Sequence, residues 1–274
     1  MNEVNLGKIQ QYLLNQAEIY VVKIGSNILT REDKKLDSTK IYEISDQVAE
    51  LIKKYDKKVI IVSSGAIATG RGIIDLKNDG EHSETVVKQS YSAIGQSSMY
   101  HEYEMHLRSY GITAGQLLLT HEDFDKKSGR LDSFKNTLEL LLYNDVVPII
   151  NENDTVSNEE ITFGDNDSLA AKVAVNSNAN LLIMLTSVDG VYDNQRKKVP
   201  LARDVDEVKG YANPNIGTEN GAGGMESKLE ATQIAMNAGI PVVIANGVEH
   251  MIINELLRSK SKGTLFLPKK FKYT

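Results

Sequence analysis

Short apolar runs of five to seven residues recur along the chain at 19–24, 58–62, 112–118, 146–150, 180–185, 241–245 and 263–267. Each is nearly free of polar alternation, as expected of strands buried on both faces in a parallel sheet. Between them lie stretches with helical spacing. Residues 38–55 place Ile41, Ile44, Val48, Leu51 and Ile52 on one face behind a Ser38 cap. A small-residue helix is predicted to start near Ile67, and a long one spans 84–109, whose Ala93-Ile94-Gly95-Gln96 centre predicts close packing on a neighbour. Further helices are predicted over 131–144, 168–175, a glycine-preceded stretch ending near Asn237, and a short one at 250–258. Val4, Ile9, Leu13 and Leu14 are loosely spaced for one helical face, which predicts a short docking helix before the first strand. Strands and helices alternate throughout, so the expected architecture is a mainly parallel sheet with helices on both faces. No internal repeat or low-complexity segment interrupts it.

The strand ends carry the polar chemistry. The 146–150 run leads directly into Asn151, Glu152, Asn153 and Asp154, and a short connection then brings Gly164, Asp165, Asn166 and Asp167 to the start of a helix. In open α/β sheets ligands bind outside the C-terminal ends of the strands. So many carboxylates beside a buried strand require positive charge between them. An Asx-rich loop with a helix cap is the local alternative for either cluster taken alone. Lys23 lies inside the first apolar strand, and an ammonium there needs an anionic partner at the strand end. Gly25 follows it and allows close approach of a ligand to the backbone. Ser63-Ser64-Gly65-Ala66 links a strand to a helix and forms an anion nest, although an ordinary cap would explain the serines equally well. Thr186-Ser187 closes another strand in a donor-rich turn. Gly221-Ala222-Gly223-Gly224-Met225-Glu226-Ser227-Lys228 opens a helix with a cation in its first turn, as a phosphate cradle would.

Bulk properties narrow the chemistry. The 274 residues suffice for one large α/β domain or two closely joined lobes. A net charge of -6 argues against nucleic acid as a partner. Cysteine is absent, which excludes disulfides and thiolate metal sites. No run of about 18 apolar residues is present to span a membrane, and the N-terminus has no secretory pattern, so a cytoplasmic location is expected. The five histidines are isolated and are expected to be structural or surface residues. Neither a Walker A loop nor a G-x-G-x-x-G turn after the first strand occurs, which speaks against a P-loop nucleotidase and a dinucleotide-dependent oxidoreductase. Two lysines from distant segments, Lys23 and Lys228, would converge on Asp165 and Asp167 at one sheet edge. That set suits phosphoryl transfer, which needs alignment and charge neutralisation more than covalent help.

The stretches VVKIGSNILT (21–30), VSSGAIATGR (62–71), GQLLLT (115–120), VPIINENDTV (147–156), FGDNDSLAA (163–171) and GAGGMESKL (221–229) resemble, in this order, the motifs of the amino acid kinase family. INEND followed by GDND is similar to the branch acting on free glutamate, rather than to the acetylglutamate, carbamate, uridylate or aspartate relatives. The resemblance implies a three-layer α/β/α sandwich with a mainly parallel central sheet. It also implies one kinase domain over 19–274 behind an extension at 1–18, with glutamate bound by the N-terminal part and ATP by about 176–274. Lys23 and Lys228 would stabilise the transferring phosphoryl group and Asp167 would orient both. Ser64, Asp154 and Asn166 would bind L-glutamate, with Gly65, Asn151 and Asp165 close by. Lys23, Thr186, Ser187, Ala222, Gly223, Gly224, Met225, Glu226, Ser227 and Lys228 would line the ATP site, with Mg²⁺ accompanying ATP and no direct protein ligand to a metal. Feedback inhibition by proline, a homo-oligomer and transfer of the product to a glutamyl phosphate reductase are implied as well. Ser187 stands where the family usually has Asp, with Asp189 two residues on, and the chain has no room for the C-terminal PUA domain of many bacterial members. An acetylglutamate kinase or a non-catalytic sensor on the same fold is the alternative; the presence of both lysines and Asp167 speaks against the sensor.

Overall fold

The computed structural model describes residues 3–157, 166–209, 224–258, 262–269 and 271. The strands are β1 (Ile19–Ile24), β2 (Lys58–Ser63), β3 (Ala114–Leu119), β4 (Val147–Glu152), β5 (Leu181–Thr186), β6 (Val191–Tyr192), β7 (Lys198–Val199), β8 (Leu201–Ala202), β9 (Val242–Asn246) and β10 (Thr264–Phe266). The helices are α1 (Glu3–Gln16), α2 (Ser26–Leu29), α3 (Ser38–Tyr55), α4 (Ala66–Ile73), α5 (Glu84–Ser109), α6 (Arg130–Tyr143), α7 (Asp167–Asn176), α8 (Asp206–Lys209), α9 (Met225–Asn237) and α10 (Ile252–Leu257). All seven predicted strands form, and α5 has the predicted bounds. The cap of α3 differs from expectation: Asp37, not Ser38, accepts from the Thr39 N–H at 3.1 Å. A carboxylate satisfies that donor and also faces the positive helix end, so it displaces the neutral hydroxyl.

Eight strands make one sheet in the order β3-β4-β2-β1-β5-β9-β10-β8. Its pairs are parallel except β9 with β10. Side chains alternate between two separate cores. Val22, Ile24, Ile61, Ile149 and Ile183 pack with Ile9 and Leu13 of α1, Ile44 of α3, Met99 of α5 and Ile253 of α10. Val21, Ile60, Val62, Ile150, Leu182 and Met184 pack with Leu138 of α6, Val173 of α7 and Ala235 of α9. Each such buried aliphatic side chain is worth about 1.5–3 kcal/mol, and the two-sided burial fixes a three-layer sandwich. Through Ile9 and Leu13, α1 serves as the expected docking helix.

From β1 the chain moves to β2 on one side, whereas β5 lies on the other side and is followed outward by β9. Such a reversal opens a crevice at the strand ends. Lys23 and Gly25 lie at its lip, where the Gly25 N–H donates to the Leu185 carbonyl at 3.1 Å. A Cβ on Gly25 would stand 3.3 Å from that oxygen and 3.8 Å from Lys23 Nζ, so a bare α-carbon keeps this lip open.

Beside the crevice, α4 and α5 pack backbone against backbone. A Cβ on Gly95 would stand 2.0 Å from the Ala66 carbonyl oxygen, and one on Gly70 would stand 2.0 Å from that of Tyr91. The close packing expected at the centre of α5 therefore comes from two glycines on facing helices.

Candidate active site

Lys23 belongs to the second core face, since Val21 of the same strand does, and α7 and α9 both begin at that end of the sheet. Asp167, the first residue of α7, is fully buried between the two lysines. It forms an ion pair with Lys23 through Oδ1 and accepts from Lys228 Nζ through Oδ2 at 3.0 Å. Ser227 Oγ stands 3.3 Å from the same Oδ2 and donates to the Gly224 carbonyl at 2.9 Å. Among the described residues, two buried ammonium groups thus share one carboxylate at the N-termini of two helices. Such a site retains positive potential and favours an anion.

The neighbouring residue reaches the other side of the edge. Asn166 occupies the N-cap position of α7 but makes no capping bond. Its Nδ2 instead donates to the Ser63 carbonyl at 2.8 Å and to Asn151 Oδ1 at 2.7 Å, and lies 3.2 Å from Ser64 Oγ. Local helix capping, the alternative explanation for this cluster, is therefore not what this side chain does. Asn151 in turn donates to Gln96 Oε1 at 2.7 Å and accepts from the Glu152 N–H at 2.9 Å. Gly65 has φ 111°, a left-handed conformation that turns the chain from β2 into α4 and exposes the first N–H groups of that helix.

Asp154 is half-buried and accepts from Ser92 Oγ at 2.8 Å. Burial pushes its carboxyl up to about 6; the Ser92 hydrogen bond counters this and the charge of Glu152 adds to it. Glu152 is itself buried and accepts from Ser157 Oγ at 2.6 Å. A carboxylate so placed is readily ionised by an arriving cation.

Expected site residues meet in two groups. Lys23, Asp167, Lys228 and Ser227 form one group, and Ser64, Asn151 and Asn166 form another, joined by the peptide bond between Asn166 and Asp167. Asp154 flanks the second group through α5. Thr186 is buried at the end of β5 and Ser187 is half-buried after it. Gly224, Met225 and Glu226 open α9, with Gly224 and Glu226 exposed. Asp189, two residues beyond Ser187, accepts from Tyr192 OH and pairs with Lys198 at 3.9 Å. Asp165, Ala222 and Gly223 lie outside the described residues. Among the described residues no group of three or more His, Cys, Asp or Glu is placed to hold a metal ion.

Sequence reasoning missed the contribution of α5. Gln89, Ser92, Gln96 and Tyr103 lie on one face of it and bond, respectively, the Ser157 carbonyl at 3.2 Å, Asp154, Asn151 and Ser63 Oγ at 2.9 Å. Their spacing of three, four and seven residues is the only signal in the chain, and it also describes an ordinary solvated helix face.

A family model described as the amino acid kinase family matches residues 18–246. A glutamate 5-kinase of Clostridium acetobutylicum is 41% identical over 267 residues, covering 95% of this chain and 98% of that protein. A glutamate 5-kinase of Aquifex aeolicus is 40% identical, covering 92% of this chain and 69% of that protein. The UMP kinase structures from Bacillus anthracis and Ureaplasma parvum superpose with TM-scores of 0.61 and 0.60 at 14% and 17% identity. They cover 92% and 91% of this chain and 97% and 99% of their own, and establish the fold. The chain belongs to the amino acid kinase family, within its glutamate 5-kinase branch.

Proposed function

We infer that the chain transfers the γ-phosphoryl group of ATP to the side-chain carboxylate of L-glutamate, giving L-glutamyl 5-phosphate and ADP, the first step of proline biosynthesis. The observation that carries this is the adjacency of Asn166 and Asp167, one bonded into an acceptor-side amide network and the next paired with two buried lysines. A carboxylate oxygen of glutamate attacks the γ-phosphorus, the bond to the β–γ bridging oxygen breaks, and ADP departs with that electron pair. The attacking carboxylate is already ionised, so no general base is needed. Lys23 and Lys228 neutralise charge on the phosphoryl oxygens, and Asp167 holds both ammonium groups in place.

On the acceptor side, Ser64 receives a contact from Asn166 and keeps its own proton for an anion, and the N-terminus of α4 beside Gly65 adds N–H donors for the side-chain carboxylate. Asp154 pairs with the α-ammonium. Asn151 and Asp165 complete this side. On the donor side, Thr186, Ser187 and residues 222–228 line the nucleotide, dividing the domain near residue 176. Mg²⁺ would arrive on the phosphates of ATP. Proline carries an ammonium and a carboxylate and would compete at the Asp154 side. A cytoplasmic homo-oligomer that passes its labile product to a glutamyl phosphate reductase completes the assignment.

ADP release with MgATP should depend on L-glutamate and fail with N-acetylglutamate, whose amide nitrogen cannot pair with Asp154. Release with N-acetylglutamate alone would replace the substrate and leave the phosphoryl chemistry in place.

A further inference from the structure

The end of β4 and the loop after it are held along one face of α5. Gln89 meets Ser157, Ser92 meets Asp154, and Gln96 meets Asn151, so the helix and the loop run antiparallel with matched spacing. Ser92 and Gln96 are both buried and one helical turn apart. Their height above the sheet is set beside Gln96, where Gly95 leaves no room for even a Cβ against the Ala66 carbonyl at the start of α4.

The amide network has a fixed polarity. The Glu152 N–H can only donate, so the Asn151 atom facing it is oxygen and the Asn151 nitrogen faces Gln96. Gln96 must therefore present its oxygen. At the far end the Ser63 carbonyl can only accept, so Asn166 turns its nitrogen inward. This leaves the Asn166 carbonyl oxygen as the atom its amide can offer to a ligand. With its nitrogen bonded within the network, the Asn166 amide can accept from an ammonium group and has no donor to spare for a carboxylate.

We propose that Gln96 and Ser92 are positioning residues of the acceptor site: Gln96 fixes the orientation of the Asn151–Asn166 amides, Ser92 fixes the Asp154 carboxylate, and together they aim two acceptor oxygens at the ammonium group of the substrate. The identity of that substrate rests on the glutamate kinase assignment; the contacts do not.

The test compares Gln96→Met, which keeps the length and removes the acceptor, Gln96→Glu, which keeps an acceptor oxygen, and Ser92→Ala. Gln96→Met and Ser92→Ala are expected to raise the glutamate KM by about tenfold or more while the ATP KM stays within about twofold, and Gln96→Glu to restore most of the loss. An unchanged glutamate KM in both variants, or equal shifts for glutamate and ATP, would overturn the proposal. If Gln96→Met does not fold, the Ser92→Ala comparison decides alone. Hydrogen exchange of the Asn166 side-chain amide supplies a reading independent of substrate, slow in the wild type and faster in Gln96→Met. Equal exchange would overturn the proposal, whereas loss of glutamate turnover in the wild type with the exchange difference intact would remove only the substrate assignment.

Discussion

Lys228 Nζ donates to Asp167 Oδ2 at 3.0 Å, across 61 positions of sequence, while the other oxygen of the same carboxylate pairs with Lys23. One buried anion therefore sets the separation of two cations that come from a strand and from a helix. Cations held at a fixed separation are preorganised for charge on a transferring phosphoryl group, which is the role proposed for them above.

Removal of Lys228 leaves Asp167 paired with Lys23 and the fold in place. Lys228→Ala is expected to lower kcat by about 100-fold or more, with circular dichroism and melting temperature close to the wild type. Near-normal turnover would take Lys228 out of the site.

Asp167→Ala has a different signature. It leaves two buried ammonium groups without their shared carboxylate, a loss of about 3–5 kcal/mol by analogy with broken buried ion pairs. Urea unfolding should show this destabilisation alongside loss of activity. An inactive variant of unchanged stability would show that the lysines find other partners.

Asp154 predicts a pH dependence of known sign. Its carboxyl is raised from 3.8 to about 6 in the folded protein. The folded state holds this proton more tightly than the unfolded state, so the stability it contributes is full below about pH 4 and is lost as pH rises through about 6. Ammonium binding needs the ionised form, so the glutamate KM should rise as pH falls below about 6 while the ATP KM does not follow. Asp154→Asn should raise the glutamate KM and flatten both dependences. A glutamate KM constant between pH 5 and 8, on the order of three pH units around this value, would contradict the ammonium pairing.

Gly95→Ala tests the helix contact. Its Cβ would lie 2.0 Å from the Ala66 carbonyl and 2.3 Å from the Gly70 nitrogen, so α5 must move. Thermal melting should show a loss of about 1–3 kcal/mol, and the surviving protein should have a raised glutamate KM because Ser92 and Gln96 move with the helix.

What could be read from the sequence follows from how local each feature is. The central strands are continuous apolar runs, and Lys23 stands out because a cation within such a run needs a partner. The 84–109 helix carries its own start in Ser83, whose side chain accepts from the Val86 N–H at 3.4 Å. The short β6, β7 and β8, of two residues each, are too brief to show a period. The cap of α3 was misplaced by one residue, on Ser38, where the carboxylate of the adjacent Asp37 takes the Thr39 N–H. Ser92 and Gln96 were invisible as site residues because a polar helix face declares its partner only when the fold turns it inward. Asn166 is the converse: the sequence placed it at a helix start, and tertiary structure gave its side chain another role.

Acyl phosphate formation on glutamate can be detected by hydroxylamine trapping during turnover with MgATP and L-glutamate. The expected result is glutamyl hydroxamate formed on the side-chain carboxyl in step with ADP, and abolished in Lys228→Ala. ADP release without hydroxamate, or no glutamate-dependent ADP at all, would contradict it.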